Sequence, residues 1–323
     1  MTDGAPLRAE AAVASGADVV GRVVANLELA VRAPRGTLEL CVLCLLAEGH
    51  LIIEDFPGVG KTVLAKSLAR SLHLKFSRMQ FTPDLLPTDV TGVNVFNQKT
   101  HEFEFRPGPV FANVLLVDEI NRASPKTQSA LLEAMQESQV TIDGSTYRIE
   151  RPFLVVATQN PIEYEGTYPL PEAQLDRFAA RLSLGYPPPA EEARMLGEQT
   201  MAPPLDELRP VAEREEVLAA IVAAREVYVE ESVNRYVVDL LRHTRDSARL
   251  ALGASPRAGI ALLRMAKAHA VARNRDYVLP EDVQEVAVPV LAHRVIVAPE
   301  GRATGTTGTE AVAEALEQTP VPS

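Results

Sequence analysis

The stretch Asp55-Phe56-Pro57-Gly58-Val59-Gly60-Lys61-Thr62 follows an apolar run, Leu51-Ile52-Ile53, and leads into a helical pattern. A strand, a glycine-containing loop and a helix N-terminus together form an anion cradle, because loop N–H groups and the helix dipole face one point. Gly58 and Gly60 let the backbone approach a phosphate without a Cβ in the way, and Pro57 and Val59 complete the loop. Lys61 can reach the β- and γ-phosphates of a nucleotide, and the Thr62 hydroxyl can ligate Mg²⁺. The general pattern begins with Gly, where this chain has Asp55. On that loop alone, an ordinary strand-to-helix turn stays open.

A second constellation narrows the reading. Val114-Leu115-Leu116-Val117-Asp118-Glu119 is an apolar run ending in two acids. Asp118 at a strand tip can hold hydrated Mg²⁺, and Glu119 can polarise an attacking water as general base. Phe153 to Ala157 is another apolar run, followed by Thr158-Gln159-Asn160-Pro161. The uncharged Asn160 amide can orient water against a γ-phosphate without neutralising the base. Two arginines complete the set. Arg177 ends Pro171-Glu172-Ala173-Gln174-Leu175-Asp176-Arg177-Phe178, read as a short helix that delivers a cation to a surface. Arg257 lies in the first turn of a helix opened by Ser255-Pro256. A cation there opposes the helix dipole at a cost of up to about 1 kcal/mol, which suggests a compensating anion.

These residues need a frame. Continuous apolar runs at Leu51–Ile53, Val114–Val117, Phe153–Ala157 and Arg181–Leu184 suit strands buried on both faces. Helical patterns lie between them, as in Thr62–Leu72 with Leu64, Leu68 and Leu72 on one face. The expected fold class is α/β, a parallel sheet with helices on both faces over residues 17–187. Pro187-Pro188-Pro189 breaks the pattern, and a small all-helical domain is expected over 190–298, with helices near 190–200, 214–230, 232–248, 256–273 and 280–295. Residues 1–16 read as a flexible N-terminal segment and 299–323 as a disordered tail rich in Ala, Thr, Gly and Pro. Two β-hairpin insertions are expected, one within 91–111 and one over 140–149 around Asp143-Gly144.

Composition limits the partners. The chain has 323 residues and a net charge of −11, from 43 acidic and 32 basic residues. That balance repels phosphate backbones, so no nucleic-acid partner is expected. Aromatics are 5% and Trp is absent, which leaves no evident stacking platform for single strands. There is no apolar run of membrane-spanning length and no signal-peptide pattern, so the expectation is a cytoplasmic protein without membrane insertion. Cys41 and Cys44 lie one turn apart among leucines, which reads as core packing rather than a redox pair.

Together the motifs resemble the MoxR branch of the AAA+ ATPases over about residues 17 to 298. The closest stretches are Glu54 to Thr62, Asp118 to Gln128, Thr158 to Pro161 and Leu170 to Phe178. Asp55 is a familiar variation in that branch. The resemblance implies Mg²⁺-dependent ATP hydrolysis that drives chaperone-like remodelling of partner proteins. Walker A is then carried by Lys61 and Thr62, Walker B by Asp118 and Glu119, and the first sensor by Asn160. Arg177 looks like the arginine finger, which in a ring reaches the neighbour's γ-phosphate, and Arg257 like the second sensor on the lid, its action in cis or trans left open. Val20, within Val19-Val20-Gly21-Arg22, is similar to the segment that lines the adenine pocket. The resemblance also implies a homo-oligomer, a hexameric ring, and a protein client, with von Willebrand A domain proteins as the family's frequent associates. A nucleic-acid motor and a nucleotide-gated scaffold with little turnover are the competing readings. The acidic charge argues against the first and the presence of Glu119 against the second.

Overall fold

The computed structural model describes residues 5–160, 167–186, 188–190, 192, 204–303 and 305–322. Five parallel strands form the central sheet: β1 (Leu51–Glu54), β2 (Phe76–Gln80), β5 (Val114–Asp118), β8 (Leu154–Gln159) and β9 (Ala180–Leu182), ordered β2-β5-β8-β1-β9. Successive side chains on a strand point to opposite faces, and the core divides accordingly. Ile53, Leu116 and Val156 enter one apolar cluster, whereas Ile52, Leu115 and Val155 enter the other. Both faces of β1, β5 and β8 are buried, which is why these three strands read as unbroken apolar runs. On the first face lie α1 (Ala5–Ala30), α2 (Arg35–Leu46) and α3 (Lys61–Ser71). On the second lies α5 (Pro125–Glu137), after the short α4 (Pro87–Thr91). Cys41 and Cys44 are fully buried on α2, and burial pushes the Cys41 thiol up to about 12. They are packing groups.

Both hairpins form. β3 (Gly92–Asn97) pairs with β4 (Glu102–Pro107), and β6 (Gln139–Ile142) pairs with β7 (Ser145–Arg148). They act as one projection, since Asn94 donates to Asp143 at 2.8 Å and Phe105 stacks on Tyr147 with ring centroids 3.9 Å apart.

Two expectations about the ends of the chain need correction. The N-terminal segment is helical from Ala5 rather than flexible over 1–16, because Val13 continues the buried stripe of Val20, Val23, Val24 and Leu27. The region 299–323 is structured among the described residues. Helices Pro299–Ala303 and Gly308–Gln318 pack onto the second domain, and Val312 is fully buried. The second domain is helical as expected, with β10 (Leu250–Leu252) and β11 (Ile296–Val297) adding a small antiparallel pair beside its helices. Its principal helices are Arg214–Glu226, Glu231–Asp246, Pro256–Ala272 and Pro280–Leu291. The helix expected near 190–200 and the start of the Pro187–Pro189 linker lie outside the described residues.

Helix α1 ties the two domains together. Arg22 binds Glu216 at 2.7 Å and the Val211 carbonyl, while Asn26 donates to Ser71 at 2.8 Å and to the Arg209 carbonyl at 3.0 Å. At Gly16 a Cβ would come within 2.7 Å of Val271, so the helices touch there only because the position is glycine.

The C-terminal packing gives a stability test. Val312→Asp places an unpaired carboxylate in an apolar site and should lower stability by about 3–5 kcal/mol in urea denaturation. A mere surface tail would give a change within about 0.5 kcal/mol.

Candidate active site

Five expected site residues converge at the C-terminal ends of the strands. Lys61, Thr62, Asp118, Glu119 and Asn160 line one cavity of about 350 Å³, together with Pro57, Gly58 and Gly60 of the loop. The loop owes its shape to Gly58 at φ 86° and Gly60 at φ 96°, left-handed values that a side chain would strain. Gly60 is also the N-cap of α3, so the helix begins at Lys61 with its N–H groups facing the cavity. Lys61 donates from Nζ to the Asp55 carbonyl at 2.6 Å. Burial pulls its ammonium below the usual lysine range, and the charges of Asp55, Asp118 and Glu119 oppose that shift. A half-buried cation beside the N–H groups of a helix start is a site for a polyanion.

Asp55, the departure from the general loop pattern, has a definite structural task. Its buried carboxylate accepts from Ser183 Oγ at 2.8 Å, from the Leu184 N–H and from the Gly185 N–H at 3.3 Å. Neighbouring contacts reinforce the join, with Glu54 paired to Arg181 at 2.9 Å and Phe56 stacked on Tyr186. The acid therefore fixes the phosphate loop to the chain leaving β9 toward the second domain.

The two acids at the end of β5 are both paired with arginines. Asp118 accepts from Arg78 Nε at 2.7 Å and from Thr158 Oγ1 at 3.3 Å. Glu119 accepts from Arg122 at 2.8 Å, and its own N–H donates to Thr158 Oγ1 at 3.0 Å. Glu119 adopts φ 56°, ψ 54°. A non-glycine residue held there costs roughly 1–2 kcal/mol, and such strain gathers at working sites. Here it turns the carboxylate out of the strand line at the cavity wall.

Two expected contributors do not line this cavity. Val20 is buried in the helical core stripe of α1, because Gly21 does not break the helix there. The Val59 side chain packs against the apolar core, which leaves only its backbone to the loop. Pro161 lies outside the described residues. Arg78 and Gln80 line the cavity and were not foreseen, since they sit on β2, a half-exposed edge strand too polar to register as an apolar run.

Arg177 and Arg257 lie elsewhere. With Arg264 and Arg294 they line a second cavity of about 410 Å³, which the first cavity's acids do not reach. Ser255 caps the helix of Arg257 by accepting from the Ala258 N–H at 3.1 Å. Arg177 Nε is buried without a hydrogen-bond partner. An arginine-lined hollow and an anion cradle both attract negative charge, so a polyanion held in the cradle is what an arginine-lined surface would meet.

Sequence and structure comparisons agree with this division. Residues 50–180 match the model of the ATPase family associated with various cellular activities (AAA), and residues 242–315 match the AAA lid domain. The chain is 47% identical over 304 residues to the protein YeaC of Bacillus subtilis, covering 94% of this chain and 95% of the relative. It is 44% identical over 268 residues to the chaperone MoxR1 of Mycobacterium tuberculosis, covering 80% of this chain and 71% of that one. A crystal structure assigned as an ATPase from Cytophaga hutchinsonii superposes with a TM-score of 0.91 at 38% identity, covering 99% of this chain and all of the other.

Proposed function

The chain belongs to the MoxR family of AAA+ ATPases, and from that premise we propose that it hydrolyses ATP with Mg²⁺ in an assembled ring to remodel a client protein. The observation that carries this reading is the convergence of Lys61, Thr62, Asp118, Glu119 and Asn160 on one cavity, with Arg177 and Arg257 on another. The chaperone role rests on the similarity to MoxR1 of M. tuberculosis.

In this mechanism the loop N–H groups and Lys61 neutralise the β- and γ-phosphates. Thr62 and Asp118 offer hard oxygen donors in the same cavity, a set that suits Mg²⁺, which keeps several waters and binds through one or two carboxylates. When bound, the metal withdraws charge from the phosphoryl oxygens. Glu119 takes the proton from the attacking water, and Asn160 holds that water by its amide. Asp118 would have to give up its Arg78 partner to hold the metal, and Glu119 its Arg122 partner to act as a base.

Arg177 and Arg257 are then trans-acting groups, aimed at the γ-phosphate held by a neighbouring copy. A hexamer is the proposed assembly and a von Willebrand A domain protein the proposed client type, both from family resemblance. Lys61→Ala tests the site itself. It should abolish turnover and weaken binding of a fluorescent ATP analogue by about tenfold or more, as expected for losing a charged hydrogen bond of roughly 1.5–3 kcal/mol. Wild-type turnover in that variant would remove the cavity from consideration.

A further inference from the structure

The second cavity contains one arginine that cannot itself reach a neighbour. Arg294 follows helix Pro280–Leu291 of the lid, and only 3% of its side chain is exposed. Its guanidinium lies against the segment that carries Arg177. It forms an ion pair with Asp176 at 3.2 Å, and its NH2 group donates to the Asp176 carbonyl at 3.2 Å and to the Phe178 carbonyl at 2.7 Å. NH1 reaches the Ala258 carbonyl at 3.5 Å, in the first turn of the helix that carries Arg257. Burial pulls Arg294 down to about 10, so it stays a cation at neutral pH.

Neighbouring groups fix the same segment. His293, pushed down to about 3 by burial and the adjacent cation, is neutral and donates from Nε2 to the Phe178 carbonyl at 3.0 Å. Ser255, the N-cap of the Arg257 helix, donates to Asp176 Oδ2 at 3.4 Å. The backbone on either side of Arg177 is therefore held by the lid, while Arg177 Nε has no hydrogen-bond partner of its own.

We propose that Arg294 is a positioning residue for Arg177, holding from the lid the segment that carries it. The proposal rests on the reading of Arg177 as a trans-acting finger. A rigid lid-to-finger link means that lid movement in one subunit displaces the arginine offered to the next. Lysine cannot replace it, because a point cation on a flexible stem cannot serve two carbonyls and a carboxylate together.

The test uses full-length Arg294→Lys, Arg177→Ala and the double variant in single-turnover assays with labelled ATP. Thermal midpoints and affinity for a fluorescent ATP analogue are measured in parallel. Arg294→Lys should lower the hydrolysis rate about 10- to 100-fold, the scale of a misplacement near 1 Å, with nucleotide affinity unchanged. In the Arg177→Ala background it should add no further loss, because the group it positions is gone. A merely structural role would instead weaken nucleotide binding or multiply with the Arg177→Ala loss, and either result overturns the proposal. So does a wild-type rate in Arg294→Lys while Arg177→Ala is inactive. Full activity in Arg177→Ala overturns the finger reading first and the clamp with it. If Arg294→Lys fails to fold, Asp176→Asn carries the same comparison, since it removes the charge partner while keeping the side-chain shape.

Discussion

Glu119→Gln should bind ATP as tightly as the wild type and hydrolyse it about 10²–10⁴-fold more slowly, the usual contribution of a positioned general base. The substitution keeps the side-chain volume and removes the charge, and with it the ability to accept a proton. It leaves Lys61, Thr62 and Asp118 in place, so affinity for a fluorescent ATP analogue should hold while phosphate release stops. Two structural facts sharpen the expectation. Glu119 is turned toward the cavity by a left-handed backbone, and it is paired with Arg122 at 2.8 Å. Because Gln carries no charge, the variant also weakens the Arg122 contact. A loss of turnover with unchanged affinity therefore separates base chemistry from site collapse. Turnover within a few-fold of wild type would mean that another group activates the water.

Much of this site was legible because strand burial and phosphate chemistry both leave strong marks. Val114 to Val117 is buried on both faces and ends in two acids, so strand, direction and chemistry coincide in six residues. Asp55 was recognisable as a departure from the loop pattern, but its partners Ser183 to Gly185 lie about 130 positions away, and no local pattern links them. Edge strand β2 escaped for a related reason. Ser77, Arg78 and Gln80 are polar because that strand borders solvent and the nucleotide cavity, so apolar patterning has nothing to detect. The C-terminal helix did carry a signal, since Thr307 and Glu310 form a capping box, the spacing that marks a helix start. The Ala-, Thr- and Gly-rich surroundings obscured it. Val20 shows a different limit, since a short likeness to a nucleotide-binding segment says nothing of the long helix in whose buried stripe the residue lies.

Arg177→Ala should reduce turnover by about 10³–10⁵-fold, the scale of an arginine finger in phosphoryl transfer. The expectation follows from placement. Arg177 and Arg257 line a cavity separate from that of Lys61 and Asp118, so within one chain neither arginine shares the cradle's cavity. Trans action makes a prediction that cis action cannot imitate. Arg177→Ala has an intact nucleotide cavity and no finger, whereas Lys61→Ala has an intact finger and no cavity. Each should be inactive alone. Mixed and allowed to exchange subunits, they should recover a fraction of wild-type activity, because some interfaces pair the finger of one variant with the cavity of the other. Wild-type specific activity should also rise with protein concentration until assembly is complete. Flat activity per chain, together with no recovery on mixing, would place hydrolysis within a single subunit. Arg257 would then be acting from a lid that closes over its own nucleotide, and the ring would be unnecessary for chemistry.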